Sequence, residues 1–213
     1  MMRQAKGRMT RRDFIKGVAA AGAAAVFRPK LLYANEKAGE KKEKKKYDSK
    51  LDGPMLKAAS EGDVEKVKAL LEKGADPDAR NQTNKTTVLM IASKKGYLDV
   101  ANVLLDAGAD VNARNTLGRT PLHMSARNGK NDVVKRLLEV EGINVNAKDA
   151  IHKNTPLHTA VSRYQIKTVG ILVKDERIDL HAQNEDGNTP LQMAEDRGFD
   201  KIAKILKKAG AEY

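Results

Sequence analysis

The residues able to do acid–base or metal chemistry are few in kind. Cysteine is absent, which removes thiol nucleophiles, Cys-ligated zinc and any disulfide framework. Of the four histidines, His152 and His181 stand alone, with no His, Asp or Glu at metal-ligand spacing. His123 and His158 instead close the same tetrad, Thr120-Pro121-Leu122-His123 and Thr155-Pro156-Leu157-His158. Carboxylates are plentiful, but they recur at fixed intervals (Asp76, Asp110) or on helix surfaces. Hydrolysis by a carboxylate pair needs two of them converging in a cleft, and nothing in the spacing does that. No Gly-rich phosphate loop, nucleophile elbow or HExxH helix is present. Met90, Met124 and Met193 fall at repeating apolar positions and read as packing. The expectation is a protein that is not an enzyme and needs neither cofactor nor metal.

The remaining chemistry is electrostatic. The chain has 213 residues and a formal net charge of +12. Such a surplus suggests a nucleic-acid or membrane-surface partner until it is located. Residues 1–50 carry 15 basic and 5 acidic side chains, and residues 51–213 carry 25 and 23. The surplus therefore belongs to the N-terminal segment. With no Trp, three Phe and five Tyr, base-stacking platforms are not expected, and no nucleic-acid partner is assigned. No run of 18 apolar residues occurs, so no integral span is expected in the mature chain.

The N-terminal segment has the layout of an address joined to a tether. Arg3, Lys6 and Arg8 lead into Thr10-Arg11-Arg12-Asp13-Phe14-Ile15-Lys16, then a small-residue apolar stretch from Gly17 to Phe27, then Arg28-Pro29-Lys30 and Ala34. The string around Arg11, Arg12, Phe14 and Lys16 resembles the twin-arginine (Tat) export signal, with Ile15 in place of the usual Leu. That resemblance implies a bacterial or archaeal protein carried out folded by the twin-arginine translocase, to the periplasm or another extracytoplasmic site. Residues 1–34 are assigned as the signal, with cleavage after Ala34. Residues 35–50, NEKAGEKKEKKKYDSK, are too charged and too poor in apolar side chains to order themselves and read as a Lys-rich linker.

The rest of the chain is periodic. Leu56, Leu89, Leu122, Leu157 and Leu191 are spaced by 33, 33, 35 and 34 residues. Thr-Pro-Leu recurs at Thr120-Pro121, Thr155-Pro156 and Thr189-Pro190, an N-cap and then the interior position where Pro costs nothing. Gly62, Gly96, Gly129 and Gly198 end the first helix of each unit, and Val64, Val67, Leu70 and Leu71 show the helical spacing of a second. These signals share one period and resemble the ankyrin repeat over residues 51–213. The resemblance implies an all-α solenoid of five helix-turn-helix units with short hairpin-like loops, near 51–80, 81–113, 114–147, 148–182 and 183–213. It also implies that His123 and His158 brace neighbouring hairpins. The fourth unit departs from the pattern, with Tyr164 and Arg177 where other units place Gly. A non-Gly residue in a left-handed cap costs roughly 1 kcal/mol, so 161–180 is expected to be the weakest part of the array.

By ankyrin register, the binding face combines the hairpin tips with the C-terminal turn of each first helix. Its basic members are Arg80, Lys85, Lys94, Lys95, Arg114, Arg119, Arg127, Lys148, Lys153, Arg163 and Arg197, with Asn128 beside them; its acidic members are Glu61, Asp149, Glu185, Asp186 and Asp196. The expectation is a monomeric, non-enzymatic scaffold whose basic concave face binds another protein with an acidic surface. The alternatives are an envelope-associated binder of anionic lipid or polysaccharide, and a co-exported regulatory or inhibitory subunit of an enzyme.

Overall fold

A threonine opens four of the five helix pairs. Its hydroxyl oxygen accepts the backbone N–H three residues on, Thr87 from Met90, Thr120 from His123, Thr155 from His158 and Thr189 from Gln192, at 3.2–3.4 Å. In the last three the box is closed reciprocally, because the third residue's side chain accepts the threonine's own N–H. In this computed structural model residues 47–212 are described. The signal (Arg11, Arg12, Phe14 and Lys16 included), its cleavage after Ala34 and the linker up to Lys46 lie outside the described residues.

Ten α-helices come after a 3-10 turn at Ser49–Leu51 among the described residues: α1 Asp52–Glu61, α2 Val64–Glu72, α3 Val88–Lys95, α4 Leu98–Asp106, α5 Pro121–Arg127, α6 Asn131–Leu138, α7 Pro156–Ser162, α8 Ile166–Leu172, α9 Pro190–Asp196 and α10 Asp200–Lys208. They form five antiparallel pairs. First helices stack in one layer (α1, α3, α5, α7, α9) and second helices in the other (α2, α4, α6, α8, α10). The expected start at residue 51 moves slightly upstream. The Asp48 N–H donates to the Gly74 carbonyl at 3.1 Å, and the Asp48 carboxylate caps the 3-10 turn. Composition placed Asp48 in the tether because a charged residue buries little, but its backbone pairs with the first unit.

The core is one continuous seam between the two layers. Leu89, Leu122, Leu157 and Leu191 are buried in the first-helix layer, and Leu104, Leu137, Leu172 and Leu206 face them from the second. Each such side chain contributes about 1.5–3 kcal/mol by leaving water. A unit contacts only its neighbours, so stability accumulates along the array. In the first unit Met55 takes the fully buried place and Leu56 is only half-buried, as suits a cap. Met90 and Met193 are buried as expected, whereas Met124 is half-buried.

The turn inside each pair needs a left-handed residue, and Gly62, Gly96, Gly129 and Gly198 supply it at φ 63–86°. Tyr164 occupies the same position at φ 56°, as its place in the repeat requires. The next unit along covers this position. A Cβ on Gly62 would meet the Tyr97 ring at 3.1 Å, and one on Gly96 would meet Lys130 Cδ at 2.8 Å. In the fourth unit the covering residue is Phe199, whose ring centroid lies 4.8 Å from that of Tyr164 at an interplanar angle of 58°. Tilted aromatic pairs stabilise by about 0.5–1.5 kcal/mol, which offsets the backbone cost of Tyr164.

Arg177 corrects the other half of that expectation. Among the described non-glycine residues positive φ occurs at Lys85, Lys153 and Tyr164, so the chain does not turn left-handed at Arg177. Its guanidinium instead grips Asp175 (Nη2–Oδ2 2.6 Å, Nε–Oδ1 2.9 Å) and donates to the Leu138 carbonyl at 2.7 Å. The same pairing holds the Asp175 carboxyl below the usual carboxylate range. The two residues that break the repeat pattern thus tie the fourth unit to its neighbours.

Among the described residues two buried side-chain atoms lack a hydrogen bond, Ser93 Oγ and Arg119 Nε, and only the first has no charged neighbour to offset the loss. Ser93 lies in α3 and is fully buried. Ser93→Ala is therefore expected to raise stability by about 1 kcal/mol, since an unmet buried hydroxyl costs about 1–3 kcal/mol in desolvation. A higher urea midpoint checks this; a lower midpoint would mean that the hydroxyl is bonded in solution.

Candidate binding face

Each hairpin tip is built by an Asx residue. Asn81, Asn115, Asp149 and Asn184 each accept backbone N–H groups two to five residues on, at 2.9–3.3 Å. The left-handed place near each tip is taken by Lys85, Gly118, Lys153 and Gly187 in turn. The second unit closes with one antiparallel bridge, Arg80 to Thr87. The tips are bonded to one another: the N–H groups of Thr116, Ala150 and Glu185 donate to the carbonyls of Asn84, Leu117 and His152 at 3.0, 2.9 and 2.8 Å. A ladder of backbone bonds therefore runs across the array and fixes the spacing of its side chains.

The two tetrad histidines hold this ladder to the first helices. His123 Nδ1 accepts the Thr120 N–H at 3.2 Å, and its Nε2 lies 3.0 Å from the Asn154 carbonyl in the next unit. His158 repeats this with Thr155 and the Asn188 carbonyl, also at 3.0 Å. A carbonyl only accepts, so both rings are neutral with the proton on Nε2. Burial pushes the His123 pKa down to about 4 and lowers that of His158 in the same direction. A histidine whose folded pKa lies below its unfolded value supports the fold fully above about pH 6.5 and loses that support as the pH falls towards 4. For His123 the loss amounts to about 3 kcal/mol, at about 1.4 kcal/mol per pH unit. In the fifth unit Gln192 fills this place, its Oε1 accepting the Thr189 N–H at 2.8 Å. The double variant His123→Gln/His158→Gln should therefore fold and show a flatter decline in urea stability between pH 7 and pH 4.5. An unchanged decline would assign the acid sensitivity to the carboxylates.

The predicted cations divide into two groups. Arg80, Lys85, Lys94, Lys95, Lys153 and Arg163 are exposed, and Arg127 and Asn128 are half-buried. Asn128 is turned inward, its amide donating to the Met124 carbonyl at 2.7 Å. Four others brace adjacent units. Arg114 Nη2 donates to the Lys148 carbonyl at 2.6 Å, Lys148 Nζ to the Gln183 carbonyl at 2.8 Å and Arg197 Nη1 to the Ser162 carbonyl at 3.3 Å. Arg119 Nε stands 3.6 Å from a carboxylate oxygen of Asp149, too far for a hydrogen bond but close enough for an ion pair. Asp149 is only 2% exposed, so it leaves the acidic members of the surface. Sequence register could not show these braces, because they depend on which backbone carbonyl lies opposite each cation.

From Arg80 to Arg163, every exposed charge at a tip or first-helix end is therefore positive. The carboxylates of this face, Glu61 before that stretch and Glu185, Asp186 and Asp196 after it, stand towards the ends of the array. Away from this face, an open groove of about 480 Å³ lies between α6 and α8, lined by Leu138, Ile171 and charged side chains. Among the described residues no cluster of three His, Asp or Glu could hold a metal ion. Among them, too, no helix is long and apolar enough to cross a membrane.

A family model for ankyrin repeats (three copies) matches residues 55–149 and again 141–213. The chain belongs to the ankyrin-repeat family. A second model, for the signal sequence of the twin-arginine translocation pathway, matches residues 8–27. The ankyrin array thus stands behind a signal for export across the cytoplasmic membrane. A curated relative, the nuclear factor NF-kappa-B p105 subunit of Gallus gallus, is 41% identical over 58 residues, which is 27% of this chain and 6% of the relative. The chain therefore spans a small part of the curated relative it matches. Ankyrin arrays are in general protein-binding scaffolds without catalytic activity, and the solenoid seen here has the ankyrin architecture.

Proposed function

We propose that the mature chain is a monomeric, non-enzymatic scaffold of the periplasm that binds an acidic protein through its hairpin tips and first-helix ends. The carrying observation is the unbroken positive sign of the exposed charges from Arg80 to Arg163 on that face. Clustering one sign on a fixed surface raises the local potential and steers a partner of opposite sign. The ladder of tip-to-tip bonds supports this reading, because cations at fixed spacing lose less freedom on binding than cations on a loose loop.

The test is capture from an extracytoplasmic extract by the mature chain and by a variant with Glu at Lys94, Lys95, Lys153 and Arg163. These four are exposed and, among the described residues, their side chains bond to no neighbouring unit. An unchanged set of captured proteins would rule the face out. The Lys run from Lys41 to Lys46 favours a second reading, an envelope binder of anionic lipid or polysaccharide. Salt separates the two: a polyanion binder loses affinity steeply and without selectivity, a protein binder less so.

A further inference from the structure

Large apolar side chains are rarely left exposed on this array, and two of them stand on adjacent tips. Leu117 and Ile151 are 39% and 45% exposed, at the tips of the third and fourth units. Their loops are joined, since Ala150 N–H donates to the Leu117 carbonyl at 2.9 Å. Gly118 allows that approach: a Cβ there would lie 2.6 Å from the Ala150 nitrogen. Neighbouring tips carry polar or charged residues instead, Thr83 and Asn84 before and Glu185 and Asp186 after. The apolar pair thus lies in the middle of the cationic stretch, with Arg114 and Lys153 on either side in sequence.

We infer that Leu117 and Ile151 form a shared apolar contact for one side chain of an acidic protein segment lying along the tips. The inference rests on the cationic-face reading above, which selects an acidic segment; the apolar pair selects what that segment must carry. Charge complementarity is the reason for this occupant. A wholly hydrophilic polyanion leaves both side chains in water, and two aliphatic residues bury too little area to hold a bilayer. An acidic peptide with one aliphatic residue satisfies both halves of the surface. Because the tips are tied by backbone bonds, the contact is preformed and binding orders little of the protein.

The probes are two short synthetic peptides of Glu and Ser, one with a single central Leu and the other with Ser in its place. Fluorescence anisotropy with the mature chain should show about tenfold tighter binding of the Leu peptide, the worth of one well-covered aliphatic side chain. Leu117→Ser/Ile151→Ser should erase that difference and leave the affinity for the Ser peptide unchanged. The four-residue charge reversal should weaken both peptides together. Equal binding of both peptides to the native chain would overturn the apolar contact while leaving the cationic face standing. Binding of neither would overturn both. Two further results would overturn it by naming another occupant. One is a dimer in sedimentation that the double serine variant disperses. The other is binding to anionic phospholipid vesicles that the same variant abolishes.

Discussion

Glu at Lys94, Lys95, Lys153 and Arg163 is expected to lower affinity for the acidic partner by about a thousandfold. Each substitution removes one attraction and adds one repulsion. Exposed charge pairs contribute about 0.2–1 kcal/mol each, so eight such changes at about 0.5 kcal/mol apiece give about 4 kcal/mol, or three orders of magnitude. Much of the loss should appear in the association rate, because these side chains sit at the surface and act at a distance before contact. It should also shrink as salt rises, with the screening length falling from about 10 Å at 0.1 M to about 3 Å at 1 M. Surface titration with the captured partner at two ionic strengths measures both effects. The fold should survive, since Arg114, Lys148, Arg119 and Arg197, which brace adjacent units, are left in place. A thousandfold loss together with an altered circular dichroism spectrum would count as misfolding and would not support the face. A loss of less than about threefold with a native spectrum would remove the electrostatic reading.

Arg11→Lys with Arg12→Lys is expected to keep the protein in the cytoplasm. The substitution conserves the charge of the segment, so any loss of export reports recognition of the arginine pair and not attraction to the membrane. The planar guanidinium offers a fixed fork of donors that the ammonium lacks. The array itself suits export in the folded state. Each unit touches only its neighbours, and contacts of short range in sequence form quickly. Fractionation of cells carrying the native chain and the double Lys variant, probed for the array, measures the effect. Continued appearance outside the cytoplasm would show that another feature of the signal is sufficient.

Much of the fold was legible in the sequence because an ankyrin unit is specified locally. Threonine caps, the proline after them, the left-handed glycine and the paired leucines each act within a few residues of where they stand, and their period exposes them. Even a departure was legible in part: Tyr164 sits left-handed where the register put it. The ring of Phe199 against it was not, because that contact crosses from one unit to the next. Arg177 shows the limit of register. It stands where Gly stands elsewhere, yet the backbone there takes another course and the guanidinium closes on Asp175 and Leu138.

The candidate face divides in the same way. The sign of its charges could be counted from register alone, and the buried roles of His123 and His158 came with the repeat they close. Which cations remain available to a partner could not be counted. Arg114, Arg119, Lys148 and Arg197 are spent on the next unit, and Asp149 is buried beside Arg119. Leu117 and Ile151 carry no periodic signal, since their significance lies in one tip bonding to the next. Sequence by itself determined the address, the repeat and the sign of the surface, because all three are written in local order. Tertiary structure decided which of those charges brace the solenoid and which face water, because a hydrogen bond between units depends on a carbonyl some thirty residues away.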